Sequence, residues 1–301
     1  MDIINRKRLF PKKEQKYAVF PLSLHLLLDI VKQKLIKIYP MKVSLIISTY
    51  NWPEALRLSL MTVLHQTQYP HEIVIADDGS TIETQNMIKE LQTEYPIPIQ
   101  HIWHEDKGFR KTMIMNKAVK AATGDYIIQI DGDILLHPYF IADHLEIAEP
   151  GYFIRGGRTL INAFKTRFFL HRNALRPQKS NLMRSNNKFN AFRIPFLANI
   201  FSGVSEDVTH VKGCNMAYWK KDFIAVNGYN NDINGWGHED IELAIRLHNS
   251  GIKMKKVKFK AIAYHLHHPL NSRNCEEKNM EISNLALNKK IIRAKNGYDS
   301  L

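Results

Sequence analysis

This 301-residue chain predicts an α/β fold: a doubly wound, mostly parallel sheet with flanking helices, forming a single domain. Two observations carry that expectation. Strand and helix patterns alternate four times between residues 42 and 133. Polar residues also gather where each of those strands ends, and that is the edge at which such sheets hold ligands.

"KVSLIISTY" (42–50) is short, β-branched and apolar, so it reads as a buried strand. "NWPEALRLSLMTVLHQT" follows as a helix, with Asn51 as its cap and Pro53 in the first turn. "HEIVIADDGS" (71–80) is a second strand, Thr81 to Tyr95 a helix, and "IPIQHIWHE" a third strand. A helix over Lys111–Ala122 stops before Gly124, and "DYIIQIDGD" closes the series. The strand ends deliver Thr49 and Tyr50, then Asp77 and Asp78, then His104 to Lys107, then Asp131 and Asp133.

Residues 159–200 have weak periodicity and read as loops and short helices over that edge. Order returns at 210–251. There Gly235 and Gly237 flank Trp236, and Glu239-Asp240 open a helix that ends at Gly251. Acids suit a helix N-terminus through the macrodipole, and that alone would account for them. "VKFKAIAYHLHHP" reads as a strand running into His265, His267 and His268. The expected divisions are a basic extension (1–40), a first half of the domain (41–150), a basic insertion (151–205), a second half (206–270) and a helical tail (271–301).

The net charge of +13 is uneven. Residues 1–40 hold nine Lys/Arg against three acids, and residues 151–205 hold ten Lys/Arg and no acid. Such patches suit an anionic partner. Leu24, Leu27, Leu28, Val31, Leu35 and Ile38 recur at helical spacing, which fits either a helix lying on an anionic membrane surface or one packed on the domain. No apolar run of about 18 residues and no signal-peptide pattern is present. The two cysteines form no disulfide framework. A cytoplasmic protein, peripheral on the inner face of the membrane, is the expectation. Nucleic acid is not expected as a partner, because basic motifs interleaved with aromatics and a recognition helix are lacking.

Asp131 and Asp133 raise a question of charge. Two carboxylates two residues apart repel, and no basic residue adjoins them in sequence. A divalent cation would offset that repulsion.

The motifs "VSLIISTYN", "EIVIADDGS", "DKGFRKTMIMNKAVKAATGDYIIQIDGD", "VKGCNMAYWKKDFIAVNGYN" and "GWGHEDIELAIRL" run in order from residue 42 to about 268. Together they resemble GT-A glycosyltransferases of family 2, followed by the catalytic region of β-1,4-galactosyltransferases and polypeptide GalNAc-transferases. The resemblance implies a nucleotide-sugar donor, UDP-linked, whose diphosphate is bridged by Mn²⁺ or Mg²⁺ to Asp133. It implies Asp131 on the donor ribose or in the metal shell, Asp78 on a uracil ring, Thr49 at the base-binding edge, Tyr50 among the donor-binding residues, and Arg110 facing the donor. A further metal ligand is His265, with His268 as the alternative.

On the acceptor side the resemblance implies Trp236, Gly213 and Glu239, with Asp240 as the general base and Glu239 as the second choice for it. His238 stands where the animal enzymes commonly have glycine. The implied reaction is inverting transfer of a hexosyl or N-acetylhexosaminyl group to a hydroxyl of a glycan or glycolipid, of lipopolysaccharide or capsule type. The basic insertion would make that acceptor anionic. A sugar nucleotidyltransferase shares the sheet, but such enzymes usually carry a glycine-rich loop after the first strand, which "STYNWPEAL" lacks.

Overall fold

The computed structural model describes residues 41–175, 188–269 and 272–301. The helix expected between Leu24 and Ile38 lies outside the described residues.

The first four strands are β1 (Val43–Thr49), β2 (Glu72–Asp77), β3 (Ile99–Trp103) and β4 (Tyr126–Asp131). They lie in the order β3-β2-β1-β4, all parallel. The crossovers are α1 (Pro53–Val63), α2 (Ile82–Glu94) and α3 (Lys111–Ala121). Burial alternates sides along β1. Leu45 and Ile47 share a core with Leu56 and Leu60 of α1 and Ile88 of α2. Ile46 faces the opposite core, with Ile114, Met115 and Val119 of α3. Burial on both faces is why these strands read as unbroken apolar runs.

After β4 come β5 (Ile134–Leu136), α4 (Phe140–Ile147), β6 (Tyr152–Arg155), β7 (Thr159–Leu160) and α5 (Ala163–Arg172). Then follow α6 (Pro195–Phe201), β8 (Gly203–Ser205), β9 (Met216–Trp219) and α7 (Lys220–Ala225). The last elements are α8 (Glu239–Asn249), β10 (Lys253–Lys256), β11 (Ala263–His265) and α9 (Glu276–Asn288).

The main sheet continues as β4-β9-β6-β10-β8, and β9 runs antiparallel to both of its neighbours. A small sheet, β5-β11-β7, sits beside it. Its register sets His265 opposite Ile134, the residue after Asp133, and the Leu266 N–H donates to the Asp133 carbonyl at 3.0 Å.

Three local expectations are corrected. Asn51 does not cap α1: Trp52 holds the cap position without a side-chain bond. Asn51 instead takes φ +47° and accepts the Thr81 N–H on its side-chain oxygen at 2.8 Å, tying the exits of β1 and β2 together. The helix also ends at Val63 rather than Thr67, because the Thr67 N–H turns away to the Pro138 carbonyl at 2.8 Å. Finally, the run before the histidines is mostly loop. Positive φ at Phe259 and Ala261 breaks it, and only Ala263–His265 pair as a strand.

Candidate active site

The C-terminal ends of β1, β2 and β4 meet the N-termini of α3 and α8 and the end of β11. Asp78, buried just after β2, is fixed on both oxygens. One lies 2.7 Å from His104 Nε2, and the other accepts the Arg110 N–H at 2.9 Å. The Thr49 carbonyl accepts the Asp78 N–H at 3.0 Å. Tyr50, half exposed, donates its hydroxyl to Asp106 at 2.9 Å. The Arg110 guanidinium donates to the Glu105 carbonyl, and its Nε has no hydrogen-bond partner.

Gly132 separates the two carboxylates of β4, and its backbone crosses β1 closely. A Cβ there would come within 3.1 Å of the Ser48 carbonyl and 3.2 Å of Thr49 Oγ1. That tight approach sends Asp131 and Asp133 into different surroundings. Asp131 Oδ1 accepts Lys111 Nζ at 2.6 Å and Ser48 Oγ at 2.8 Å. Burial works against its charge, but the Lys111 ammonium outweighs that and holds the carboxyl below the usual range. Burial likewise disfavours the Lys111 charge, and Asp131, then Glu239, overcome it and raise the lysine. Asp131 therefore has a protein counter-charge, twenty residues upstream in sequence.

Asp133 faces the histidines. Its Oδ2 lies 3.0 Å from His265 Nε2 and 3.4 Å from His268 Nε2. One ligand atom from each of the three residues falls within 4.8 Å of the others, the one such cluster among the described residues. Asp133 Oδ1 and His265 Nδ1 are buried without hydrogen-bond partners. A buried carboxylate with one oxygen beside two imidazoles and the other without a hydrogen-bond partner fits a divalent cation. Asp131 is not part of this cluster, and His267 turns its backbone N–H to Thr166 Oγ1 at 2.8 Å.

On the opposite wall, Gly235 and Gly237 take φ +75° and +105°, and His238 also has positive φ as α8 begins. Glu239 is buried, with Oε1 4.0 Å from Lys111 Nζ and Oε2 without a partner. Burial, then the neighbouring Asp240 charge, pushes its carboxyl up to about 7. Asp240 is more open. Its Oδ2 accepts the Gly213 N–H and its Oδ1 the Ile241 N–H at 3.0 Å. Gly213 thus supports Asp240, and Gln129 Nε2 holds the Gly213 carbonyl at 3.0 Å. Trp236 is half-buried, with the Arg273 guanidinium 5.2 Å from its ring centre.

Sequence reasoning missed Lys111 and Ser48. The only signal for Lys111 was its place beside Arg110 in "GFRK", where one basic residue had already been given a role. Ser48 lies inside a run that reads as strand.

Two family models match the chain. Glycosyl transferase family 2 covers residues 44–209, and the N-terminal domain of galactosyltransferase covers residues 196–269. The first spans more than half the sequence, and the chain belongs to glycosyl transferase family 2. Among curated proteins it is 25% identical to chondroitin synthase of Escherichia coli, over 79% of this chain and 37% of that protein. It is 27% identical to validoxylamine A glucosyltransferase of Streptomyces hygroscopicus subsp. limoneus, over 70% of this chain and 49% of that one. The chain thus spans half or less of the length of these relatives.

Solved structures share the fold. TarS 1–349 of S. aureus in complex with UDP-GlcNAc has a TM-score of 0.57 at 17% identity, covering 86% of this chain and 69% of that one. The mannosyltransferase PcManGT of Pyrobaculum calidifontis, in complex with GDP-Man and Mn²⁺, gives 0.53 at 19% identity, covering 80% and 64%. The GT-A expectation for the fold holds.

Proposed function

We propose that the chain is a metal-dependent, inverting glycosyltransferase that moves a sugar from a UDP-linked donor to a hydroxyl of a glycan or glycolipid. The observation that carries this reading is the Asp133–His265–His268 cluster. It lies at the ligand-binding edge of the sheet, with a buried carboxylate oxygen that no donor among the described residues satisfies. Those three residues would hold the cation, and two imidazoles beside one carboxylate favour Mn²⁺ over Mg²⁺. When bound, such an ion offsets the charge of a diphosphate leaving group.

The chain's own residues supply the rest. Asp78 and Thr49 line the base edge beside Tyr50, with Arg110 following. Asp131, held ionised by Lys111, faces the donor. On the acceptor wall Trp236 offers a ring surface for a sugar, and the Gly213 and Ile241 N–H groups fix the Asp240 carboxylate. Asp240 takes the proton from the acceptor hydroxyl as that oxygen bonds to the anomeric carbon. The bond from that carbon to the diphosphate breaks in the same displacement, and the nucleoside diphosphate departs. One base is sufficient for inversion. The relatives named for chondroitin and glucosyl transfer support a glycan or glycoside acceptor, and the acid-free insertion supports an anionic one.

Calorimetry of UDP binding tests the reading. Binding is expected with Mn²⁺, weakens at least about tenfold in EDTA, and is lost with Mn²⁺ in Asp133→Ala. Ligand at about 100 times its dissociation constant should add about 2.7 kcal/mol of stability. Equal binding with and without the metal would overturn the role given to the cluster.

A further inference from the structure

α5 (Ala163–Arg172) is built as a firm helix with an outer face that is exposed among the described residues. The Asn162 side chain accepts the Lys165 N–H at 2.9 Å at its start, and Asn173 closes it in the left-handed conformation at φ +47°. Phe169 is buried in a core with Ala55 and Leu58 of α1, and Thr166 is buried beside it. One turn apart on the outer side, Phe164 is 82% exposed and Phe168 49% exposed. Around these two rings on the outer side stand Arg167, His171 and Arg172, all exposed. Two solvent-facing phenylalanines at helical spacing need an occupant.

Charge selects it. α5 carries Lys165, Arg167 and Arg172, and residues 151–205 contain no acid. A second copy of the chain would set like charges against each other. Residues 1–40, with nine Lys/Arg against three acids, carry the same sign. Aromatic rings on a helix face with basic residues beside them are the composition of a helix that lies in a bilayer interface. Anionic headgroups supply the opposite charge. α6, Pro195–Phe201, also exposes apolar side chains, with Phe196 at 74% exposure and Ile200 and Phe201 exposed, but it carries no basic residue of its own.

We propose that α5 docks the protein on anionic membrane, its Phe164 and Phe168 entering the interfacial layer while Lys165, Arg167 and Arg172 meet lipid phosphates. None of its residues carries a donor, metal or general-base assignment, so the docking surface and those assignments fail separately, whereas the basic charge of 151–205 that supports an anionic acceptor is shared with it.

The test uses the full chain with Trp introduced by Phe164→Trp. Its fluorescence is measured on vesicles of phosphatidylcholine mixed with brominated phosphatidylglycerol. Quenching well above that of the unsubstituted chain is expected, together with a loss of at least roughly tenfold in vesicle affinity for Phe164→Ser/Phe168→Ser. Both phenylalanines face outward, so the double variant should keep its circular dichroism. An unquenched Trp at 164 overturns the proposal, even where the chain sediments with vesicles through another segment. Equal quenching on brominated phosphatidylcholine alone overturns the charge argument. A concentration-dependent dimer that the double variant abolishes would assign the face to a second copy instead.

Discussion

Lys111, the first residue of α3, holds its ammonium 2.6 Å from the carboxylate of Asp131 at the end of β4. The same ammonium lies 4.0 Å from Glu239 at the start of α8. One cation therefore joins the carboxyl edge of the sheet to the wall that carries Asp240. It also separates the roles of two carboxylates that look alike in sequence, leaving Asp131 with a protein counter-charge and Asp133 with two imidazoles.

Removing that ammonium should cost stability through Asp131. Breaking a buried ion pair from one side costs about 3–5 kcal/mol, because a charge is left uncompensated. The two side chains keep 17% and 26% exposure, so Lys111→Ala is expected at the low end, about 3 kcal/mol. Urea denaturation of Lys111→Ala, Asp131→Asn and the double variant checks this. The double variant should lose less than the sum of the singles, by about 0.5–3 kcal/mol. Additive losses would show that the pair is not coupled.

Glu239 should make stability fall with rising pH. Its carboxyl is held up to about 7 against an ordinary 4.5, by burial and then by Asp240. Between those values the folded chain keeps a proton that the unfolded chain has released. The protonated carboxyl therefore favours folding at low pH, and this advantage is lost as pH rises toward 7. About 2.5 pH units correspond to about 3 kcal/mol. In Glu239→Gln the penalty is absent, so its melting temperature relative to the unsubstituted chain should climb from pH 4.5 to 7 and then level off. Parallel melting curves across that range would remove the effect.

The placement of α8 rests on an ion pair with no exposed member. Arg246 is wholly buried, bonds both oxygens of Glu242 at 2.8 and 2.6 Å, and donates to the carbonyls of Val226 and Gly228. Arg246→Ala strands the Glu242 charge and should cost about 3–5 kcal/mol by denaturant titration. Glu242→Gln keeps an acceptor for the guanidinium and should cost less. A loss below about 1 kcal/mol in Arg246→Ala would mean that the helix is held by its apolar face alone, through Leu243, Ala244 and Leu247.

Parts of this arrangement are legible in sequence for a physical reason, and parts are not. β1, β2 and β4 are buried on both faces, so Val43–Thr49 and Tyr126–Asp131 announce themselves as apolar runs. β9 does not: four residues, Met216–Trp219, show neither alternation nor length enough to separate strand from helix. Asp133 with His265 could be anticipated from family resemblance. The Lys111–Asp131 pair could not, because it joins a helix start to a strand end that only the crossover brings together. Asn51 carries a good cap residue type, yet the contact between the exits of β1 and β2 outweighed local propensity.

Asp240 should be separable from the donor edge by kinetics. Its carboxylate is oriented by the N–H groups of Gly213 and Ile241, and no contact links it to Asp78, Asp131 or Asp133 among the described bonds. Asp240→Asn keeps an oxygen for one of those N–H groups but cannot take a proton as a carboxylate does. General-base catalysis contributes about 10²–10⁴-fold, so single-turnover transfer should slow by at least about 100-fold. UDP-sugar affinity in the presence of Mn²⁺ should stay within about threefold, since the residue is assigned no donor contact. Glu239→Gln is the discriminating partner. Its carboxyl is buried beside Lys111, and losing it should weaken acceptor binding, raising the acceptor KM more than it lowers kcat. If Asp240→Asn turns over normally while Glu239→Gln is inactive, the proton goes to the buried acid one residue upstream. Its elevated carboxyl near neutral pH would then be the feature that equips it for the task.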